Sequence, residues 1–156
     1  MNGNSSATGL FIPGLAGLYD KLACAAYPIV RVTAGLFLMP HGAQKLFGMF
    51  GGGGISGTAG FFSKLGLEPA MPLVVLVGFV EFFGGLCIVI GFLTRPFAAA
   101  AFILLMVAVF KVHLGSGFFV NKGGYEYALM WALLMATVFI KGGAHCSVDR
   151  KIGREF

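Results

Sequence analysis

Residues 22–41, 72–91, 96–114 and 124–140 are four nearly unbroken apolar stretches, each close to the roughly 20 residues an α-helix needs to cross a hydrocarbon core about 30 Å thick. Inside lipid a chain has to satisfy its own backbone hydrogen bonds, and segments of this length do so as helices. Only 11% of the 156 residues are charged, against roughly a quarter in soluble domains. The 58% hydrophobic content and mean hydropathy of +0.90 point the same way. The fold expected is all-α: an integral membrane four-helix bundle forming a single domain over residues 1–156, with 1–21 as an N-terminal interfacial segment and 142–156 as a cytoplasmic tail.

Helix punctuation marks the joints. Pro72 and Pro96 stand at first-turn positions, and Gly91 and Gly142 just past helix ends. "GFLTRP" is short enough to demand an antiparallel hairpin between the second and third spans. In the longer first loop, "SGTAGFFSKLG" offers Ser56 as an N-cap, Gly66 as a stop, and Phe61, Phe62 and Leu65 on one side. That pattern predicts a short interfacial helix in the first external loop.

An even number of spans places both termini on one side. Lys21, Arg95, Lys141, Arg150, Lys151 and Arg154 then share the terminal side, and Lys45, Lys64 and Lys122 the other. The positive-inside rule makes both termini cytoplasmic. The N-terminal "MNGNSSATGLFIPG" has no basic region ahead of a short apolar core and no small-residue cleavage site, so no cleaved signal peptide is expected.

The net charge of +5 comes from scattered Lys and Arg without aromatic interleaving, which argues against a nucleic-acid partner. Cys24, Cys87 and Cys146 lack C-x-x-C spacing and signal neither a redox pair nor a zinc site. "GGGG" at 51–54 is not followed by a G-K-[ST] and is not a phosphate loop; it reads as a flexible exit from the first helix.

Ionisable groups at membrane depth cost about 2.5–3.5 kcal/mol each on insertion scales, so each needs a partner or a purpose. Arg31 and Glu81 both lie mid-span on antiparallel neighbours, which predicts an intramembrane ion pair, with Gly78 and Gly85 allowing close helix approach. The pair serves helix register as readily as a proton or ligand role.

A second group gathers at the external end: His41, Gln44 and Lys45 ending the first helix, Lys111 and His113 the third, Tyr125 and Glu126 opening the fourth. His41 and Lys45 are four apart and share a face. Lys111 and His113 point apart, and His113 is taken as the inward one, with Lys111 snorkelling. The candidate ligand-binding residues are therefore His41, Gln44, Lys45, His113, Tyr125 and Glu126. Two histidines and a carboxylate from three helices lack any diagnostic spacing, and no metal is expected. Phe47, Phe50, Phe61, Phe62, Phe118 and Phe119 surround the cluster. They suit an interface belt, and equally a slot for a flat lipid-soluble ring such as a quinone.

From residue 22 to 149 the chain resembles the DoxX family of small four-helix bacterial membrane proteins, through Arg31, "HGAQKLFG", "GTAGFFSKLGL", "GFVEFFGGLCIVIGFLTR", "VHLGSGFF" and "GGYEYALM". The ending "GGAHCSVDR" departs from the family's commoner aromatic-Ser-Leu-Asp by placing Cys146 there. The resemblance implies a multi-pass protein of the bacterial cytoplasmic (inner) membrane, and for some relatives a part in redox complexes; the DoxD-type relative is a membrane subunit of a thiosulfate:quinone oxidoreductase. Two functions follow as expectations. One is a membrane subunit of a quinone-linked redox complex, with a polar outer-leaflet site for the quinone head group, no intrinsic cofactor, and other membrane or peripheral redox subunits as partners. The other is a non-catalytic accessory or scaffold subunit of a larger membrane assembly. The chain carries no flavin, haem or iron-sulfur motif, so it is not self-sufficient as an oxidoreductase.

Overall fold

The computed structural model describes residues 9–155, and all regular structure among them is helical. Three helices are long and apolar enough to cross a membrane: Pro13–Phe47, Ala70–Ile90 and Thr94–Ser116. The chain is thus a multi-pass membrane protein. The fourth apolar stretch forms the helix Glu126–Lys141, whose 16 residues span about 24 Å at 1.5 Å each.

Helix α1, Ala16–Phe47, runs unbroken through Pro28 and Pro40. It starts before residue 22, so part of the segment expected to lie in the interface is continuous with the first span; residues 1–8 lie outside the described ones. It ends at Gly48, whose left-handed backbone (φ 67°) lets its N–H reach back to the Ala43 carbonyl. The glycines that follow make a tight turn, not a flexible exit. Met49–Gly51 is a 3-10 turn, Gly51 and Gly54 have positive φ, and Gly52 lies so close to the Gln44 backbone that a Cβ would overlap it.

Helix α2, Gly54–Lys64, is capped by Gly53 instead of Ser56 and buries Ala59 against Ala70 and Val74. Helix α3, Ala70–Ile90, opens where Glu68 Oε2 accepts the Ala70 N–H at 2.8 Å. Hydrogen bonds from Ser63 and Ala70 hold the exposed Glu68 carboxyl below its ordinary pKa. Val80–Gly84 is a π-helical turn inside α3. Helix α4, Thr94–Ser116, contains a second one at Val109–His113. Helix α5 is Glu126–Lys141, and a short α6, Val148–Ile152, closes the chain. Ala34 and Leu38 of α1, Val80 and Ile88 of α3, Ala98 and Ala101 of α4, and Trp131, Met135 and Val138 of α5 form one buried core.

Glycines set the register between α1 and α3. A Cβ on Gly35 would fall 2.6 Å from the Gly85 carbonyl oxygen, and one on Gly42 would overlap Phe82 N and lie 2.8 Å from the Gly78 carbonyl oxygen. The two contacts are one heptad apart on each helix, so the backbones approach along a common seam. This seam corrects the expected ion pair. It puts Glu81 level with residue 39 of α1, and Arg31 lies eight residues below that, about 12 Å along the axis. A mid-span position in each apolar stretch does not bring two residues level, because neighbouring helices are offset along their axes.

Arg31 is instead buried at the far end of the molecule, 1% exposed. It donates from Nη1 to the Ile88 carbonyl at 3.2 Å and from Nη2 to the Cys146 carbonyl at 2.8 Å. Beside it, Asp149 accepts the N–H groups of Leu93 and Thr94 at 2.8 and 3.0 Å and the Thr94 hydroxyl at 2.8 Å. A carboxylate at the start of α4 satisfies orphan donors and meets the positive end of the helix dipole. The segment expected to be a cytoplasmic tail is thereby a packed part of the fold, with Gly142, Gly143, Ser147 and Asp149 all buried.

Candidate functional site

The partner of Glu81 is Lys45. Its Nζ lies 2.6 Å from Glu81 Oε2, with the side chains 22% and 12% exposed. Lys45 sits on the last turns of α1, where its ammonium also reaches the His41 carbonyl at 3.4 Å. Glu81 occupies the π-helical turn of α3. A π turn inserts one residue into the helical repeat and redirects the side chains it carries, which is why such turns recur at functional sites.

Two cavities meet at this ion pair. The larger, about 400 Å³, runs between α2, α3 and α4, and its wall is mostly apolar, including Phe61, Phe62, Leu73, Val77 and Leu104. The smaller, about 150 Å³, lies between α1, α4 and α5 against His41, Tyr127, Ala128 and Trp131. Lys45, Glu81, Leu105, Ala108 and His113 border both.

His113 ends the π-helical turn of α4. Its Nδ1 lies 2.7 Å from the Gly123 carbonyl. A carbonyl only accepts, so Nδ1 carries the proton and Nε2 is the ring nitrogen left for the cavities. Lys111 is exposed. Trp131 and Tyr127 stack at 5.3 Å with planes 26° apart, and the His41 ring is 6.4 Å from Tyr127. They form the aromatic wall of the smaller cavity.

Of the six residues expected to bind a ligand, the structure therefore gathers His41, Lys45 and His113. The others serve the backbone. Gln44 Nε2 donates to the Phe50 carbonyl at 3.3 Å and holds the glycine turn. Glu126 Oε2 accepts the Val120 N–H at 3.1 Å, and Tyr125 packs edge-on against Phe118 at 5.5 Å. Both tie the folded loop to the start of α5, where Tyr125 and Glu126 also donate their N–H groups to the Gly117 and Phe118 carbonyls. Among the phenylalanines, Phe61 and Phe62 line the large cavity, while Phe47 packs on Phe82 and Phe50 is exposed.

Tyr127 and Trp131 were not among the expected site residues, and Glu81 was expected only as the partner of Arg31. Glu81 stood out in the sequence as an intramembrane carboxylate but was given the wrong partner. Tyr127 and Trp131 are four apart on α5, a spacing that places two aromatics on one helix face and was the available signal.

Chemically, the arrangement offers an ammonium, a carboxylate and an imidazole at the end of an apolar cavity. It suits a ligand with a greasy body and a hydrogen-bonding head. Among the described residues no group of three His, Cys, Asp or Glu could hold a metal ion.

No curated protein and no solved structure matches the chain. The DoxX family model matches residues 26–114, more than half of the chain and a stretch that includes Arg31, Lys45, Glu81 and His113, and the chain belongs to the DoxX family.

Proposed function

We propose that this DoxX-family protein is a membrane subunit of a quinone-linked redox complex, and that the cavity between α2, α3 and α4 takes the quinone ring. The observation that carries this reading is the Lys45–Glu81 pair, with His113, on the wall of a mostly apolar cavity of about 400 Å³, inside the range of roughly 300–1,000 Å³ for small-molecule sites. A quinone head has carbonyl oxygens that accept hydrogen bonds. Lys45 Nζ donates to one of them, and Glu81 and His113 Nε2 hold or move a proton there. Phe61 and Phe62 of α2 flank the ring and limit water.

In this reading α5 is the fourth span, α2 lies in the outer interface, and both termini are cytoplasmic in a bacterial inner membrane, following the Lys and Arg asymmetry. Electrons come from a partner subunit.

The test is purification in mild detergent from the native membrane, with mass spectrometry of the lipid extract and of co-purifying chains. Quinone close to one per chain together with a redox partner is the expected result. Quinone no richer than in the bulk membrane extract contradicts the site and leaves the accessory-subunit alternative.

A further inference from the structure

The two cavities differ in more than size. Lys45, Glu81 and His113 border both; beyond them the larger is walled by aliphatic and phenylalanine side chains, whereas the smaller adds His41 and Tyr127 beside Leu38, Ala128 and Trp131. At about 150 Å³ it falls below the usual small-molecule range of roughly 300–1,000 Å³. It has room for about five waters at ~30 Å³ each, with enough polar partners to hold them.

The cavity has a mouth and a floor. His41 and Tyr127 are both exposed on the surface and both line it. At the other side, Glu81 is buried. Lys45 bonds its Oε2, and among the described residues no other hydrogen bond to the carboxylate is formed, which leaves Oε1 free to accept. Lys45 and His41 from α1, His113 from α4 and Tyr127 from α5 are the charged or titratable groups bordering the same cavity.

We propose that the smaller cavity is the proton inlet of the ligand site, a water-filled passage from His41 at the surface to Glu81 at the junction with the larger cavity. A proton enters at His41, crosses the cavity water and binds Glu81 Oε1, turning the carboxylate into a carboxylic acid while Lys45 stays an ammonium. The same proton leaves Glu81 for an oxygen of the ligand head, restoring the carboxylate and its pairing with Lys45. Glu81 carries only the proton; the electrons that make the head-group oxygen basic enough to take it come from the partner subunit of the proposed function. The division of labour explains why one ion pair borders two cavities: the larger admits the ring from the bilayer, and the smaller, which alone reaches His41 and Tyr127, supplies protons without opening the ring's pocket to water.

This inlet deepens the quinone reading and is tested apart from it. The full chain in detergent is taken through a rapid pH drop, and the carboxylic acid infrared band that disappears in Glu81→Gln is followed in time. Ala128→Leu, which fills the smaller cavity, and His41→Leu, which removes its polar mouth, are each expected to slow protonation of Glu81 by about tenfold or more, the scale of a lost proton relay. Ala128→Val is the milder filling variant should leucine disturb the fold, which circular dichroism checks. Affinity for a quinone analogue is expected to stay within about threefold of wild type in Ala128→Leu, since Ala128 does not border the larger cavity. An unchanged protonation rate in the filled variants overturns the inlet, as does a slowing confined to His41→Leu. Failure of the wild type to bind any quinone analogue overturns the ligand reading instead, and the protonation rates still decide the inlet.

Discussion

Lys45 Nζ stands 2.6 Å from Glu81 Oε2, two residues 36 positions apart brought together by the glycine seam between α1 and α3. A carboxylate at this depth is stable as an ion only with its cation beside it, and the net worth of such a pair is small because both charges have left water. What is costly is to remove one of them. Lys45→Met should destabilise the protein by about 3–5 kcal/mol, the range for an uncompensated buried charge, and Lys45→Met with Glu81→Leu should recover most of that loss. Thermal or denaturant unfolding in detergent reads both. A double variant no better than the single one would show that the pair is not the cause.

Arg31 makes the corresponding prediction at the opposite end. Its two bonds run to the Ile88 and Cys146 carbonyls, and hydrogen bonds from a charged group contribute about 1.5–3 kcal/mol each. Arg31→Ala should therefore cost about 3 kcal/mol or more and free residues 144–155 from the helix ends. Limited proteolysis should then cut in that segment in the variant and spare it in the wild type. Equal resistance would mean that Asp149, which binds the start of α4, holds the segment unaided.

Glu68 supplies a pH dependence. Its folded pKa lies below the ordinary value of 4.5, so its contribution is present above that value and lost as pH falls through the folded pKa. Between about pH 5 and pH 3 the wild type should lose more thermal stability than Glu68→Gln, which has no carboxylate to protonate. Parallel losses in the two proteins would place the acid sensitivity elsewhere.

Much of this architecture is legible in the chain because bilayer thickness dictates helix length. The apolar stretches at 72–91 and 96–114 reappear as Ala70–Ile90 and Thr94–Ser116, and "GFLTRP" is the hairpin between them. The pairing of charges was not legible. Depth counted from helix ends ignores the offset between neighbours, and that offset is set by Gly35 on Gly85 and Gly42 on Gly78, contacts that a single sequence shows only as scattered glycines. The same limit hid the role of Glu126. Its side chain bonds to a loop N–H six residues earlier, a local competition for carboxylates that helix direction alone does not reveal. The π-helical turns at Val80–Gly84 and Val109–His113 have no pattern in the apolar periodicity, yet they carry Glu81 and His113.

The chain has one tryptophan, and Trp131 borders the smaller cavity beside the Lys45–Glu81 pair. Its fluorescence is a reporter placed by the protein itself. Titration of the purified protein with a quinone analogue, a quencher of tryptophan emission, tests the binding site most directly. Saturable quenching is expected in the wild type and in Glu126→Gln, whose side chain serves the loop. In Glu81→Gln and His113→Ala the apparent Kd should rise about tenfold or more, the loss of a charged or hydrogen-bonding partner to the head group. Quenching that does not saturate, or that is the same in all four proteins, would contradict a quinone site at this pair.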